Sequence, residues 1–268
     1  MSSGGKSVWS VQDESTLRLP RILCLHGGGT NAAIFRAQLR SFSREMENSF
    51  RLVYAEAPYP SRAGPDVLLV YRDFGEFKSW LRWREDDIER SEDSVTNDID
   101  AAIAAAVTGD DMKGASGEWV AVLGFSQGAK ISASLLYRQQ YYAERQEESK
   151  IYPRFRFGII IAGSFPLVWL DKDNNAPTGL ASAGALATMA FDDLDEMPMH
   201  SRLRIPTIHL HGLADPGIAR HRKLRNRCFD PQSTHLIEWE GAHRLPFKSS
   251  DVAPIVKEIE DMARWTES

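Results

Sequence analysis

Trp119-Val120-Ala121-Val122-Leu123-Gly124-Phe125-Ser126-Gln127-Gly128 carries an apolar run directly into the pattern G-x-S-x-G. Such a pentapeptide arises by chance in long chains, so its surroundings decide what it means. The run before it has the character of a buried strand. The segment after it, Ala129 to Tyr142, places Ile131, Leu135, Leu136 and Gln139 at helical spacing. A strand, a sharp turn holding a serine, and a helix together describe a nucleophile elbow. In so tight a turn, side chains two residues either side of the serine collide with neighbouring backbone, and glycine at 124 and 128 removes the collision. The elbow lifts the hydroxyl clear of the sheet, and the helix N-terminus behind it favours developing negative charge. The plainer alternative is a Gly-rich turn with a capping serine.

Further short apolar runs extend the pattern in both directions. Ile22-Leu23-Cys24-Leu25 stops at Gly27-Gly28-Gly29, and Leu52-Val53-Tyr54 ends near Pro58. Gly158 to Ala162 ends at Gly163, Thr207-Ile208-His209-Leu210 ends at Gly212, and Leu236-Ile237-Glu238-Trp239 is a short sixth strand. Asn31 precedes Ile34, Phe35, Gln38, Leu39 and Phe42 at helical spacing, and Val252 to Trp265 forms a final amphipathic helix. Strands buried on both faces and alternating with helices imply an α/β fold with a mostly parallel central sheet, helices covering both faces. Such sheets carry their sites at the carboxyl ends of the strands. With the elbow, this predicts the α/β-hydrolase fold: one domain over residues 19–268 after a flexible N-terminus, 1–18. Two long stretches, 58–93 and 164–204, break the alternation and are expected to be lid or cap insertions.

Composition narrows the function. The chain of 268 residues has a net charge of −5 and no basic block, which gives no footprint for nucleic acid. The run Arg220, Arg222, Lys223, Arg225 and Arg227 reads as the solvated face of a helix. Two isolated cysteines, Cys24 and Cys228, read as reduced thiols of an intracellular protein. Ser2-Ser3-Gly4-Gly5-Lys6 lacks a signal peptide's apolar core, no apolar run is long enough to cross a bilayer, and Trp265-Thr266-Glu267-Ser268 matches no retention or peroxisomal address. The expectation is a soluble cytoplasmic protein without membrane or nucleic-acid partners.

A serine hydroxyl is a poor nucleophile until a base takes its proton. Of seven histidines, His243 in Gly241-Ala242-His243 follows the last strand, where this fold keeps its base. His26, His209 and His211 lie on or just after strands; His200, His221 and His235 sit in polar stretches and read as structural or surface groups. The base needs an acid to fix its tautomer and stabilise the imidazolium. Asp215 lies just beyond the fifth strand and completes the order Ser, Asp, His. Asp192, Asp193 and Asp195 compete from an irregular stretch, and a helix N-cap ahead of Pro216 is the structural alternative for Asp215. An oxyanion hole requires two converging amides, here expected from Gln127 and from Gly28, with Gly29 as the second choice. Each such donor lowers the barrier by roughly 3–4 kcal/mol. Tyr59, Tyr71, Phe74, Phe77 and Trp80 in the first irregular stretch, and Phe165 in the second, are candidate contacts for an acyl chain.

The chain resembles the fungal serine hydrolase (FSH) family, which includes the polyketide-releasing thioesterases of lovastatin-type biosynthesis. The resemblance rests on Leu25-His26-Gly27-Gly28-Gly29-Thr30-Asn31 with Ile34-Phe35 and Gln38-Leu39. It runs on through Ala57-Pro58-Tyr59-Pro60, Ala63-Gly64-Pro65 and Ser79-Trp80 to Gly124-Phe125-Ser126-Gln127-Gly128-Ala129. It closes on His211-Gly212-Leu213-Ala214-Asp215-Pro216 and Gly241-Ala242-His243-Arg244-Leu245-Pro246. It implies Ser126, Asp215 and His243 as the triad, and esterase or thioesterase activity with no metal or organic cofactor. It further implies release of an acyl chain from the carrier domain of a polyketide synthase. Ser164 to Arg204 is longer and more polar than the family pattern. The triad serves esters and thioesters alike. A short-chain carboxylesterase, an acyltransferase on the same triad and a non-catalytic binding protein on the scaffold remain alternatives.

Overall fold

The computed structural model describes residues 14–64, 67–147, 153–186 and 194–267. Its strands are β1 (Arg21–Leu25), β2 (Arg51–Ala55), β3 (Tyr59–Ser61), β4 (Phe77–Ser79), β5 (Trp119–Phe125), β6 (Phe157–Ile161), β7 (Val168–Trp169), β8 (Ala181–Ser182), β9 (Thr207–Gly212) and β10 (Thr234–Trp239). Its helices are α1 (Ala32–Gln38), α2 (Arg40–Glu45), α3 (Val67–Tyr71), α4 (Glu92–Asp111), α5 (Gln127–Glu144), α6 (Ile218–Cys228) and α7 (Ser249–Trp265). Six strands form one sheet in the order β10-β9-β6-β5-β1-β2, parallel at every pairing. Every residue of β1, β5, β6 and β9 is buried, whereas the edge strands β2 and β10 expose part of theirs. Two-sided burial is why the inner strands read as unbroken apolar runs.

One apolar layer packs α4, α5 and α6 on one face through Ile99, Ile103, Ile131, Leu135 and Leu224. The other packs α1, α2 and α7 through Phe35, Leu39, Phe42, Val252, Ile255 and Ile259. Asn31 starts α1 by accepting the Ile34 N–H at 2.8 Å, as an N-cap should. Helix α4 is absent from the sequence expectation. Ser91 caps it, Glu92 and Asp93 fill its first turn, and Val95, Ile99, Ile103 and Val107 point into the core at every fourth residue. At the amino ends of β1 and β2, the buried Asp110 carboxylate takes Arg51 Nη2 at 2.6 Å, with Arg21 Nη1 3.5 Å away. Cys24 and Cys228 are free and wholly buried. Among the described residues, no helix is long and apolar enough to cross a membrane.

The irregular stretches are partly ordered. Within 58–93, β3 and β4 pair antiparallel around α3. Within 164–204, β7 and β8 pair in parallel and residues 187–193 fall outside the described residues. Of the N-terminus expected to be flexible, residues 1–13 lie outside the described residues; the remainder is anchored where Arg51 Nη1 donates to Thr16 Oγ1 at 2.8 Å.

Candidate active site

Ser126 joins β5 to α5 with φ 54° and ψ −113°, a left-handed conformation that L-residues adopt only at some energetic cost. Its amide donates to the Ile161 carbonyl at 2.9 Å, which pins the turn to the end of β6. A Cβ on Gly124 would lie 2.3 Å from the Gly128 carbonyl oxygen, and one on Gly128 would lie 2.1 Å from that of Leu25. Both glycines are therefore steric necessities of the elbow.

Strand β1 lies beside β5 with Leu25 opposite Gly124, so the loop after β1 rises next to Ser126. Strand order reverses at β1, and this is where parallel α/β sheets open their crevice. His26, fully buried, sits 2.8 Å from the Gly27 carbonyl oxygen through Nδ1 and accepts the Ala57 N–H at 3.1 Å through Nε2. The Gly29 amide is engaged: it donates to the Lys78 carbonyl at 2.8 Å, while Lys78 N–H donates to Thr30 O at 2.6 Å. This contact with β4 removes Gly29 from the pair of candidate donors and leaves Gly28. Gln127 opens α5, where a first-turn amide has no partner within its own helix.

The Gln127 side chain forms a latch that the sequence does not announce. Its Oε1 accepts the Trp80 amide at 2.7 Å and the Leu81 amide at 3.3 Å, and its Nε2 donates to Leu81 O at 3.0 Å. Trp80 Nε1–H donates to His26 O at 2.8 Å. The first irregular stretch is thus tied to both loops that carry the expected oxyanion donors.

Asp215 and His243 meet because the ends of β9 and β10 are stitched together. Leu213 N–H donates to Trp239 O and Ala214 N–H to Gly241 O, both at 2.9 Å. His243 Nδ1 lies 2.6 Å from Asp215 Oδ2, and His243 Nε2 lies 2.9 Å from Ser126 Oγ. The buried Asp215 accepts the Gly217 amide on Oδ1 at 2.7 Å. Burial alone would raise its pKa, but the Gly217 amide and the His243 and His221 rings outweigh it and hold the carboxyl below its usual range. The imidazole of His243 is 41% exposed, open to a substrate, and packs against the Phe125 ring at 5.1 Å.

A second imidazole shares this carboxylate. His221, buried in the first turn of α6, has Nε2 3.1 Å from Asp215 Oδ2 and Nδ1 2.9 Å from Gly163 O. Its polar sequence context reads as a structural or surface histidine, and the structure moves it into the site. Its signal is the spacing of His221, Leu224 and Cys228, the buried stripe of an otherwise charged helix. Asp215, His221 and His243 bring three metal-ligating atoms within 4.8 Å of one another. His243 is hydrogen-bonded to Asp215 at 2.6 Å, and His221 Nε2 stands 3.1 Å from the same oxygen. Ligands each about 2 Å from one zinc ion would stand farther apart.

The other candidates fall elsewhere. Asp195 is exposed, and Asp192 and Asp193 lie outside the described residues. His209 and His211 are buried on β9, where burial and the neighbouring imidazole hold both neutral; His211 is brought down to about 4. His235 is an exposed partner of Glu258. The expected substrate contacts separate into two groups. Trp80 is 0% exposed, and Tyr59 and Phe165 are buried in the apolar layer under α4 and α5. Tyr59 is further held by its hydroxyl, which donates to Asp98 at 2.9 Å. These three pack into the core, with at most 8% of each left exposed. Tyr71 and Phe77 are partly exposed and Phe74 is 45% exposed, the Tyr71 and Phe74 rings meeting edge to face at 5.3 Å.

Comparison with known proteins gives the family of the chain. The family model described as Serine hydrolase (FSH1) matches residues 16–255. "Esterase dbaE" of Emericella nidulans is 48% identical over 258 residues, covering 94% of this chain and 93% of the relative. "Esterase pigG" of Monascus ruber is 46% identical over 259 residues, covering 95% of each. Among solved structures, acyl-protein thioesterase 2 of Zea mays superposes with a TM-score of 0.51 at 17% identity, covering 92% of this chain and 94% of its own. TT1662 of Thermus thermophilus gives 0.52 at 17%, covering 92% and 90%. At such identities the structural likeness speaks for the fold.

Proposed function

The chain belongs to the serine hydrolase (FSH1) family and is a serine esterase, and from that premise we propose that it works through an acyl-Ser126 intermediate. His243 Nε2 takes the Ser126 proton as Oγ attacks the carbonyl carbon of an ester or thioester. Asp215 keeps the other ring proton on Nδ1 and stabilises the imidazolium that forms. The amides of Gly28 and Gln127 receive the oxyanion. His243 then hands its proton to the leaving alcohol or thiol; water attacks the acyl-enzyme while giving a proton to the same nitrogen, and that proton returns to Ser126 Oγ as the acid is released. The observation that carries this reading is the continuous path from Asp215 Oδ2 through the imidazole to Ser126 Oγ, in steps of 2.6 and 2.9 Å.

The substrate is a small acyl ester or thioester, with Tyr71, Phe74 and Phe77 as the proposed contacts of its acyl chain and α3 as part of a cover over it. The finer reading is release of a polyketide acyl chain from a carrier domain in the cytoplasm. Its support is the family resemblance and the two unpaired, buried thiols. Purified protein is expected to be labelled by a fluorophosphonate at Ser126 and to hydrolyse p-nitrophenyl esters. Ser126→Ala should lose both, with turnover down at least ~10⁴-fold. Labelling that persists in Ser126→Ala would overturn the assignment. Faster turnover of an acyl-carrier thioester than of p-nitrophenyl esters would favour chain release; the reverse order would favour a general carboxylesterase.

A further inference from the structure

Two imidazoles converge on one oxygen of Asp215. His243 Nδ1 approaches Oδ2 at 2.6 Å, and His221 Nε2 approaches the same atom at 3.1 Å. The rings stack, with centroids 5.9 Å apart and planes 24° from parallel. His221 is also held from behind, its Nδ1 2.9 Å from the carbonyl of Gly163 at the end of β6. A Cβ on Gly217 would sit 3.1 Å from both Asp215 Oδ1 and the His221 ring, so glycine there lets the two groups close on each other.

The chemistry of this contact is constrained. Asp215 Oδ2 and Gly163 O are both acceptors, while a neutral imidazole carries one N–H. A proton on Nδ1 satisfies Gly163 and turns a lone pair on the carboxylate; a proton on Nε2 does the reverse; the imidazolium satisfies both. His221 Nε2 lies 3.1 Å from Oδ2, short of full hydrogen-bond alignment. Burial disfavours the charged ring and outweighs Asp215 and Gly163, which favour it, so His221 is held below its usual range; of the two neutral forms, the one with its proton on Nε2 donates to Asp215. The titratable groups around His221 are Asp215 on the loop after β9, His211 on β9 itself and His243 on the loop after β10.

We propose that His221 is a positioning residue of the hydrolytic site, gripping Asp215 Oδ2 through Nε2 and keeping the carboxylate turned towards His243. This inference rests on the Ser126–His243–Asp215 reading above. It follows that Asp215 Oδ2 is shared between two rings, at 2.6 Å from His243 and 3.1 Å from His221. Loss of the second ring loosens the carboxylate, which lowers kcat, and leaves Oδ2 to His243 alone. The acid limb of the pH–rate profile then moves to higher pH.

The experiment is the pH profile of kcat/KM on a p-nitrophenyl ester for the wild-type protein, His221→Phe, His221→Gln and His221→Asn, with melting temperature recorded for each. The Gln amide stands where Nε2 stood and reaches Asp215; the Asn amide stands where Nδ1 stood and reaches Gly163 alone. His221→Phe and His221→Asn are expected to lose about ten-fold in kcat with KM nearly unchanged, and to move the acid limb up by about half a pH unit. His221→Gln should retain the wild-type limb and most of the rate. Should the Phe variant fail to fold, the Gln and Asn pair decides alone. Equal behaviour of Gln and Asn, or a loss of rate with no movement of the limb, overturns the proposal. Ser126→Ala, run alongside, separates the two readings: if it keeps its activity the nucleophile assignment fails, and if it is inert while every His221 variant behaves as wild type only the present inference fails.

Discussion

Ser126, the residue proposed to do the chemistry, is one of three non-glycine residues with a positive φ among the described residues. A left-handed serine costs of order 1–3 kcal/mol, which the surrounding sheet and helix hold in place. Glycine is at ease at this φ and ψ and alanine is not. Ser126→Gly is therefore expected to melt higher than Ser126→Ala by a few degrees, about 1 kcal/mol at roughly 2–4 °C per kcal/mol, though both are inactive. Equal melting temperatures would mean that the elbow carries no strain. The same local demand explains what is legible in the sequence alone. Gly124, Ser126 and Gly128 announce themselves because a tight turn leaves no other choice within five residues. Asp215 and His243 are marked by chain order beyond successive strands. His221 carries no such mark, for its approach to Asp215 depends on how α6 packs against β6 and β9, a relation across 58 residues to Gly163. Its only trace is an apolar stripe of three positions in a helix of arginines.

At the scale of elements, the inner strands are legible because burial on both faces leaves an unbroken apolar run, and helix α4 is not because alanines stand on its outer face as well as its inner one. Val95, Ile99, Ile103 and Val107 recur every four residues, yet the alanines that fill 101–106 around Ile103 blur which face is apolar. The aromatic residues of 58–93 mislead in the opposite direction. Tyr59 and Trp80 look like a substrate surface in a polar context but belong to the packed layer, while Phe74 and Tyr71 stay nearer the solvent. Helix α4 also offers a clean test of its own construction. Gly109 lies on its exposed face, and a methyl group added there would meet nothing within 4 Å. Gly109→Ala should stabilise the protein by about 0.5–1 kcal/mol, since alanine loses less backbone freedom in a helix. A thermal melt should rise by a few degrees with ester turnover unchanged; a fall would mean that α4 is not helical at 109.

Across the whole molecule, the sheet separates two kinds of charge. The groups proposed for catalysis stand at the carboxyl ends of its strands, and the buried Arg51–Asp110 pair stands at the amino ends. Between them, the buried histidines of β9 set the acid tolerance of the fold. His211 is held neutral down to about 4 by burial and by the His221 ring, and burial takes His209 well below its ordinary 6.5. The unfolded chain therefore binds protons that the folded one refuses. The contribution of these two histidines to stability is complete above about pH 6.5 and declines as pH falls from there towards 4, by up to about 1.4 kcal/mol per pH unit for each histidine. Melting temperature is expected to drop over that window, and His211→Leu to drop less steeply; an identical slope in the variant would locate the acid sensitivity in other groups. The two thiols bring a practical dividend. Cys24 and Cys228 are enclosed, and burial pushes both up, Cys228 to about 12. Maleimides should therefore leave the native protein unmodified. A single cysteine engineered at Leu69, 82% exposed on α3, would then be the sole attachment point for a dye, making that short helix visible by fluorescence in an otherwise unaltered molecule.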